Sequence, residues 1–343
     1  MPAGKAARIR HNVNLDGLFE GIKGNDRRSL ARSITLIESQ KAEDMPHAQE
    51  LLRRILPFTG KSFRIGISGV PGAGKSTFID SFGSLLIARG KKIAVLAIDP
   101  SSTVSGGSIL GDKTRMERLI QSEAAFVRPS PSGGSLGGVA RRTRESILLC
   151  EAAGYNTILV ETVGVGQSEV EVASMTDFYL LLMLPNAGDE LQGIKKGILE
   201  LADCICVNKE DSDLPAARRT KAELSSALHY LRSRTPEWEI PVLLASALKE
   251  TGLDEIINTS ESFREFTEEK RETGVFQSRR RLQNLEWMKN LAREELLRDF
   301  DMDPEIRKLE ENLESRVLSG QITPTLGAVE LLKAYYEKTR PGR

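Results

Sequence analysis

The sequence predicts an α/β fold, a mostly parallel sheet covered by helices on both faces, with a helical extension before it and a helical arm after it. Three observations carry this expectation. Short apolar runs recur between amphipathic stretches from Phe63 to Leu244, the pattern of strands buried on both faces and joined by crossover helices. A glycine-rich phosphate loop, GVPGAGKS at Gly69–Ser76, stands between the first run and a stretch with helical spacing. From Phe263 onward the apolar runs give way to a charge-rich linker and helices. The expected units are an N-terminal extension over 1–60, a sheet domain over 61–262 and a C-terminal arm over 263–343.

In chain order, Asp26 can cap a helix with Leu30, Ile34 and Ile37 on one stripe, and a second helix runs from about Pro46 to Ile55, ending at Pro57. Phe63–Ile67 is the first strand. Glycines at 69, 72 and 74 then allow a backbone path that turns successive N–H groups inward, so that loop and helix N-terminus cage phosphate oxygens. The candidate contacts are Gly69, Pro71, Gly72, Ala73, Gly74, Lys75, Ser76 and Thr77, with Lys75 a cation for the β- and γ-phosphates and Ser76 an oxygen for Mg²⁺. Further strands are Ile93–Ile98, Ala124–Val127, Thr157–Val160, Phe178–Leu184, Cys204–Val207 and Val242–Leu244.

Beyond them a helix near Arg279–Phe300 places Leu282, Leu285, Ala292 and Leu296 inward, another starts near Pro304, and a last one has Thr323 as cap and Pro324 in its first turn. Leu291, Leu296, Leu331, Leu332, Tyr335 and Tyr336 lie on faces wider than a short helix pair covers, which leaves docking on the sheet domain or self-association across a two-fold axis. Arg279, Arg280 and Arg281 read as a solvated helix start.

The base is read from the strand exits. Asn208-Lys209-Glu210-Asp211 follows the strand ending at Val207, and Ala245-Ser246-Ala247 follows the strand ending at Leu244. A carboxylate at Asp211 accepts from the ring N–H and exocyclic amine of guanine, a donor pair adenine lacks. Asn208 would fix the edge of the ring system, Lys209 would lie along its face, and the Ala247 N–H, beside Ser246, would donate to the guanine carbonyl. Asn, Lys and Asp are also common turn and cap residues, so it is the position after a phosphate loop and at strand ends that gives the string its meaning.

Composition sets the remaining bounds. The 343 residues suffice for a sizeable core and more than one unit. Lys+Arg and Asp+Glu are both 48, so no global charge points to nucleic acid or an anionic membrane. The longest apolar stretch, Phe178–Pro185, is too short to span a bilayer, and basic Lys5, Arg8 and Arg10 are followed by no apolar segment. A cytoplasmic protein is expected. Cys150, Cys204 and Cys206 lie in apolar surroundings and read as core packing rather than a disulfide framework or metal site.

Three carboxylates stand where a nucleoside triphosphatase needs them. Asp99 ends the second strand, Asp112 lies in Gly111-Asp112-Lys113, and Glu161 ends a strand and opens Glu161-Thr162-Val163-Gly164. Each can hold Mg²⁺ or its waters, Gly164 can offer its N–H to the γ-phosphate, and the competing reading of each carboxylate is a helix N-cap.

Together with Asp99-Pro100-Ser101-Ser102, ETVGVGQSE at 161–169 and the 188–197 stretch GDELQGIKKG, these motifs resemble the MeaB/ArgK family, P-loop GTPases in which Glu rather than Asp opens the third motif. The resemblance covers nearly the whole chain. It implies a P-loop GTPase domain that binds GTP/GDP and Mg²⁺, a C-terminal dimerisation arm and a homodimer. It also implies a chaperone role toward an adenosylcobalamin-dependent acyl-CoA mutase on a separate chain, chiefly methylmalonyl-CoA mutase, gating cofactor loading from an adenosyltransferase and protecting or rescuing the mutase. On the same footing, Lys75 and Ser76 bind phosphate and magnesium, Asp99, Asp112 and Glu161 order the metal, and Gln192 and Lys195 communicate with the mutase through the segment 189–196.

Two other functions compete with this one. A metallochaperone that inserts nickel or cobalt usually shows a His-rich tract, whereas His11, His47 and His229 are scattered. An ATP-using kinase linked to basic amino-acid transport would leave Asp211 unpaired in a partly buried pocket, at about 1–3 kcal/mol.

Overall fold

The structure is a computed structural model and describes residues 13–39, 41–98, 116–128, 136–162, 168–185, 196–269 and 275–339. Its centre is a seven-stranded sheet, parallel throughout, in the order β3-β2-β4-β1-β5-β6-β7. The strands are β1 Phe63–Gly69, β2 Ile93–Ile98, β3 Ala125–Arg128, β4 Thr157–Thr162, β5 Phe178–Met183, β6 Cys204–Val207 and β7 Val242–Leu244. Every expected apolar run is a strand. The sequence reading stopped β1 and β4 where apolarity stops, but the ladders continue: Ser68 and Gly69 pair with Leu181 and Leu182, and Glu161 pairs with Ile67 and Ala97.

One face of the sheet is covered from the N-terminus. Helices α1 (Leu15–Lys23), α2 (Arg27–Glu38) and α3 (Met45–Ile55) bury Ile22, Leu30, Ile34, Leu51 and Ile55 in one cluster with Ala94, Leu96, Ile158 and Val160 of the strands. Asp26 caps α2, accepting from Ser29 N at 2.8 Å, and Asn14 caps α1, accepting from Gly17 N at 2.9 Å. On the other face α4 (Lys75–Ala88) brings Phe78, Ile79 and Phe82 against Ile65, Ile67, Leu180 and Cys206.

The chain divides into two compact units, 1–279 and 280–343. Phe263 lies within the first of them. It is fully buried, with ring centroids 5.2 Å from Phe178 and 4.9 Å from Trp238, so the helix Leu253–Glu269 belongs to the body of the sheet. Arg279 is not solvated either. It donates to Asp177 O at 2.7 Å and faces the fully buried carboxylate of Asp203, which also takes Arg234, Thr235 Oγ1 at 2.9 Å and Tyr179 N at 2.9 Å. Burial lowers the Arg279 pKa, opposed by Asp203.

The second unit is helical. The long helix Val275–Met302 runs into it, and Pro304–Leu318 and Pro324–Thr339 follow, with Asp303 and Thr323 as caps. Leu282, Leu285 and Leu296, expected inward, are 60%, 50% and 62% exposed, and Ala292 is exposed as well. Within the unit Ile306, Leu313 and Gly327 are buried, so the short hairpin interior, and not the stripe of the long helix, takes the burial. Among the described residues no helix is long and apolar enough to cross a membrane, and the three cysteines are buried free thiols.

Candidate functional site

The loops that follow β1, β6 and β7 and the last residues of β4 gather at the carboxyl end of the sheet, the edge at which open parallel sheets bind ligands. The phosphate loop leaves β1 against β5, and at Gly69 a Cβ would stand 2.4 Å from Leu182 O, a backbone atom that cannot yield. The helix α4 starts at Lys75 with left-handed Gly74 (φ +82°) as N-cap and no capping side chain, so its first-turn N–H groups are not satisfied by a cap. Lys75 curls back over the loop, donating to Gly69 O at 2.8 Å and Val70 O at 3.3 Å. Burial pushes its pKa down, and Glu161 and Glu169 oppose that shift. The loop thus holds a partly desolvated cation beside uncapped N–H donors, which is what a polyphosphate requires.

Ser76 Oγ donates to Glu161 Oε1 at 3.3 Å. Glu161 is paired in register with Ile67 of β1 and Ala97 of β2, so β4 delivers its carboxylate beside the phosphate loop. A hydroxyl and a carboxylate at this spacing form a donor set of hard oxygens, and that chemistry fits Mg²⁺. Just behind, Thr162 Oγ1 donates to Ser68 Oγ at 2.8 Å, both fully buried, which fastens β4 to β1 below the loop. Asp99, Asp112, Gly164, Gln192 and Lys195 lie outside the described residues.

The base side is built around Asn208. Its Nδ2 donates to Ala73 O at 2.8 Å and its Oδ1 accepts from Ala247 N at 3.1 Å, so one buried amide joins the phosphate loop to the loop after β7. The Ala247 N–H, expected to face a guanine carbonyl, donates here to Asn208 Oδ1, which lies at the same strand exits. Lys209 adopts φ +62°, and its Cε lies 3.5 Å from where a Gly74 Cβ would stand, which runs its methylenes beside the loop. Asp211 is exposed, so desolvation of a pocket is not what would penalise it unpaired. Ser246 is buried, pairs with Thr251 through both backbone groups, and accepts from Lys249 N at 3.1 Å. Two further residues, Ser81 and Arg118, were not singled out from the sequence. Ser81 Oγ reaches Ala247 O across 166 positions, a separation no local pattern reports.

A parallel sheet with a phosphate loop after its central strand, a Ser–Glu pair beside it and an N-K-x-D string bonded to it defines a P-loop GTPase. The family model described as methylmalonyl-CoA mutase-associated GTPase MeaB matches residues 30–305, and the chain belongs to that family. A probable GTPase of Mycobacterium tuberculosis (strain H37Rv) is 49% identical over 320 residues, 93% of this chain and 94% of its own. GTPase ArgK of Escherichia coli (strain K12) is 44% identical, covering 90% and 93%. A Mus musculus protein named methylmalonic aciduria type A homolog, mitochondrial, is 47% identical, covering 94% of this chain and 79% of its own. A solved structure described as a LAO/AO transport system kinase superposes with a TM-score of 0.77 at 36% identity, covering 94% and 98%.

Proposed function

We propose that this GTPase uses GTP hydrolysis to gate loading of adenosylcobalamin onto a separate acyl-CoA mutase, methylmalonyl-CoA mutase or a close relative, and to protect or reactivate that mutase. The observation that carries the reading is the Asn208 tie between phosphate loop and base loop in a chain of the mutase-associated family. In this reading the loop from Gly69 to Thr77 holds the phosphates of GTP or GDP, and Lys75 neutralises charge on the transferring group. Ser76 and Glu161, with Asp99 and Asp112, hold Mg²⁺. Bound there, the metal supplies charge neutralisation at the β- and γ-phosphates. Asn208, Lys209 and Asp211 hold guanine, with Ser246 and Ala247 shaping the loop beside it.

The arm is proposed to form a homodimer, because Leu282, Leu285, Met288 and Leu296 leave an apolar stripe in water at 50–62% exposure. An adenosyltransferase is the further partner, and the cytoplasm the compartment. The test is turnover of GTP with and without a purified adenosylcobalamin-dependent mutase. Acceleration is expected, and Lys195→Ala should lower the ratio of stimulated to basal rate. Absence of acceleration by any acyl-CoA mutase overturns the chaperone reading, and an equal loss in both rates moves Lys195 into the intrinsic active site.

The description of the solved relative as a kinase supports a second reading, phosphoryl transfer from ATP. Titration with ATP and GTP separates the two, since the kinase reading requires ATP to bind at least as tightly.

A further inference from the structure

One buried carboxylate beside the phosphate loop is assigned to neither nucleotide nor metal. Glu169 closes the ETVGVGQSE stretch, in the first turn of the short helix Ser168–Ala173, and is only 4% exposed. That helix lies directly on β1. A Cβ on Gly66 would stand 2.7 Å from Val172 Cγ1 and 2.9 Å from Thr176 Oγ1, so glycine lets the helix approach the strand that feeds the loop. Ser68 projects from the same face of β1 two residues further on, nearer the loop. The chain leaves β4 at the carboxyl end of the parallel sheet and enters β5 at Phe178 at the opposite end, so earlier residues of the helix lie nearer the phosphate loop. Glu169 shares a side of the helix with Val172, three positions on, and therefore stands over the level of Ser68.

Glu169 and Glu161 both act through space on the Lys75 ammonium, which lies on Gly69 O and Val70 O. The Tyr179 hydroxyl, buried beside Ser68, also feels the Glu169 charge. A carboxylate in a first turn ordinarily supports its own helix from the surface, as the half-buried Glu171 can. Burying one costs solvation and calls for a charge to answer it. We propose that Glu169 is a positioning residue for Lys75, a fixed counter-charge that draws the ammonium toward the empty loop and competes for it with nucleotide phosphates. It thereby holds down affinity for the diphosphate product and favours its release. The proposal rests on the phosphate-loop reading above and adds a residue that limits nucleotide affinity instead of supplying it. In a low-dielectric interior, a negative charge that stays beside the loop disfavours each phosphate charge that enters.

The experiment measures dissociation constants for guanosine, GDP and the non-hydrolysable imido analogue of GTP, with Mg²⁺ saturating so that Glu161 keeps its own partner. Wild type, Glu169→Gln and Glu169→Asp are compared. Glu169→Gln keeps the shape and removes the charge, and should tighten GDP about threefold and the GTP analogue about tenfold. Neutral guanosine should change by less than about twofold. Dissociation of GDP should slow by the factor that its binding gains. Glu169→Asp keeps the charge and should stay within about twofold of wild type for all three ligands. Weaker binding of all three in Glu169→Gln overturns the proposal, because it marks a general distortion of the loop. Unchanged affinity for both nucleotides overturns it too, as does a gain shared by guanosine or an equal gain in Glu169→Asp, which would assign the effect to shape. Should Glu169→Gln not fold, Glu169→Met, neutral and of similar length, carries the same comparison. Wild-type protein that binds GDP no tighter than guanosine is the separate failure of the phosphate-loop reading, and it removes this inference with it.

Discussion

Asn208 Nδ2 donates to the Ala73 carbonyl at 2.8 Å, so the residue that leaves β6 is bonded directly to the phosphate loop. Both partners are buried. Asn208→Ala strands the Ala73 carbonyl and the Ala247 N–H, each at about 1–3 kcal/mol. Urea denaturation should show a lower midpoint, and GDP titration at least about tenfold weaker binding. A destabilised variant with native GDP affinity would show that the tie supports the fold without aligning the two loops.

Base choice gives a second expectation. GTP and GDP should bind at least about tenfold tighter than ATP and ADP, roughly 1.4 kcal/mol, a modest demand on a bidentate contact to a charged acceptor. Asp211→Asn should move the preference toward xanthine nucleotides, whose carbonyl replaces the amine. Calorimetry with the four nucleotides checks the first part, and equal affinities sink it.

At the phosphate end, Lys75→Ala should abolish hydrolysis, because the transferring group loses its fixed cation. Glu161→Ala should raise the Mg²⁺ concentration needed for half-maximal turnover while leaving GDP binding in EDTA close to native. Turnover that keeps its native Mg²⁺ dependence would return Glu161 to a structural role beside Ser76.

Asp203 predicts a stability effect far from chemistry. It is fully buried and takes Arg234, Thr235, Tyr179 N and the approach of Arg279. Asp203→Ala leaves two arginines facing a vacated carboxylate site and should cost about 3–5 kcal/mol in urea denaturation. Exposed Asp211→Ala should cost under about 0.5 kcal/mol by the same measurement.

The strands and the phosphate loop were legible because both are local: apolar runs bounded by turn residues mark β1 to β7, and GVPGAGKS names its own strand-loop-helix context. What the sequence hid depends on pairing between distant residues. Arg279 in a run of three arginines reads as a solvated helix start until Asp203 is brought beside it. Leu282, Leu285 and Leu296 keep helical spacing whether or not anything covers them, so periodicity named a stripe and burial decided its fate. Phe263 looked like the beginning of a linker because the charged residues after it outweigh one aromatic that packs on Phe178. Ala247 was assigned a base contact from its position after β7, and only the orientation of Asn208 shows its N–H engaged.

Strand β6 spans four residues, with Asp203 directly before it and Asn208 directly after. At about 3.3 Å per residue, roughly 16 Å separate the group that grips Arg279 at the root of the long helix from the group that grips the phosphate loop. A fully extended, buried strand between two fixed anchors has no slack to absorb a change in length. Gaining or losing one residue here would put the two anchors out of register with each other, so β6 works as a spacer of set length between Asp203 and Asn208.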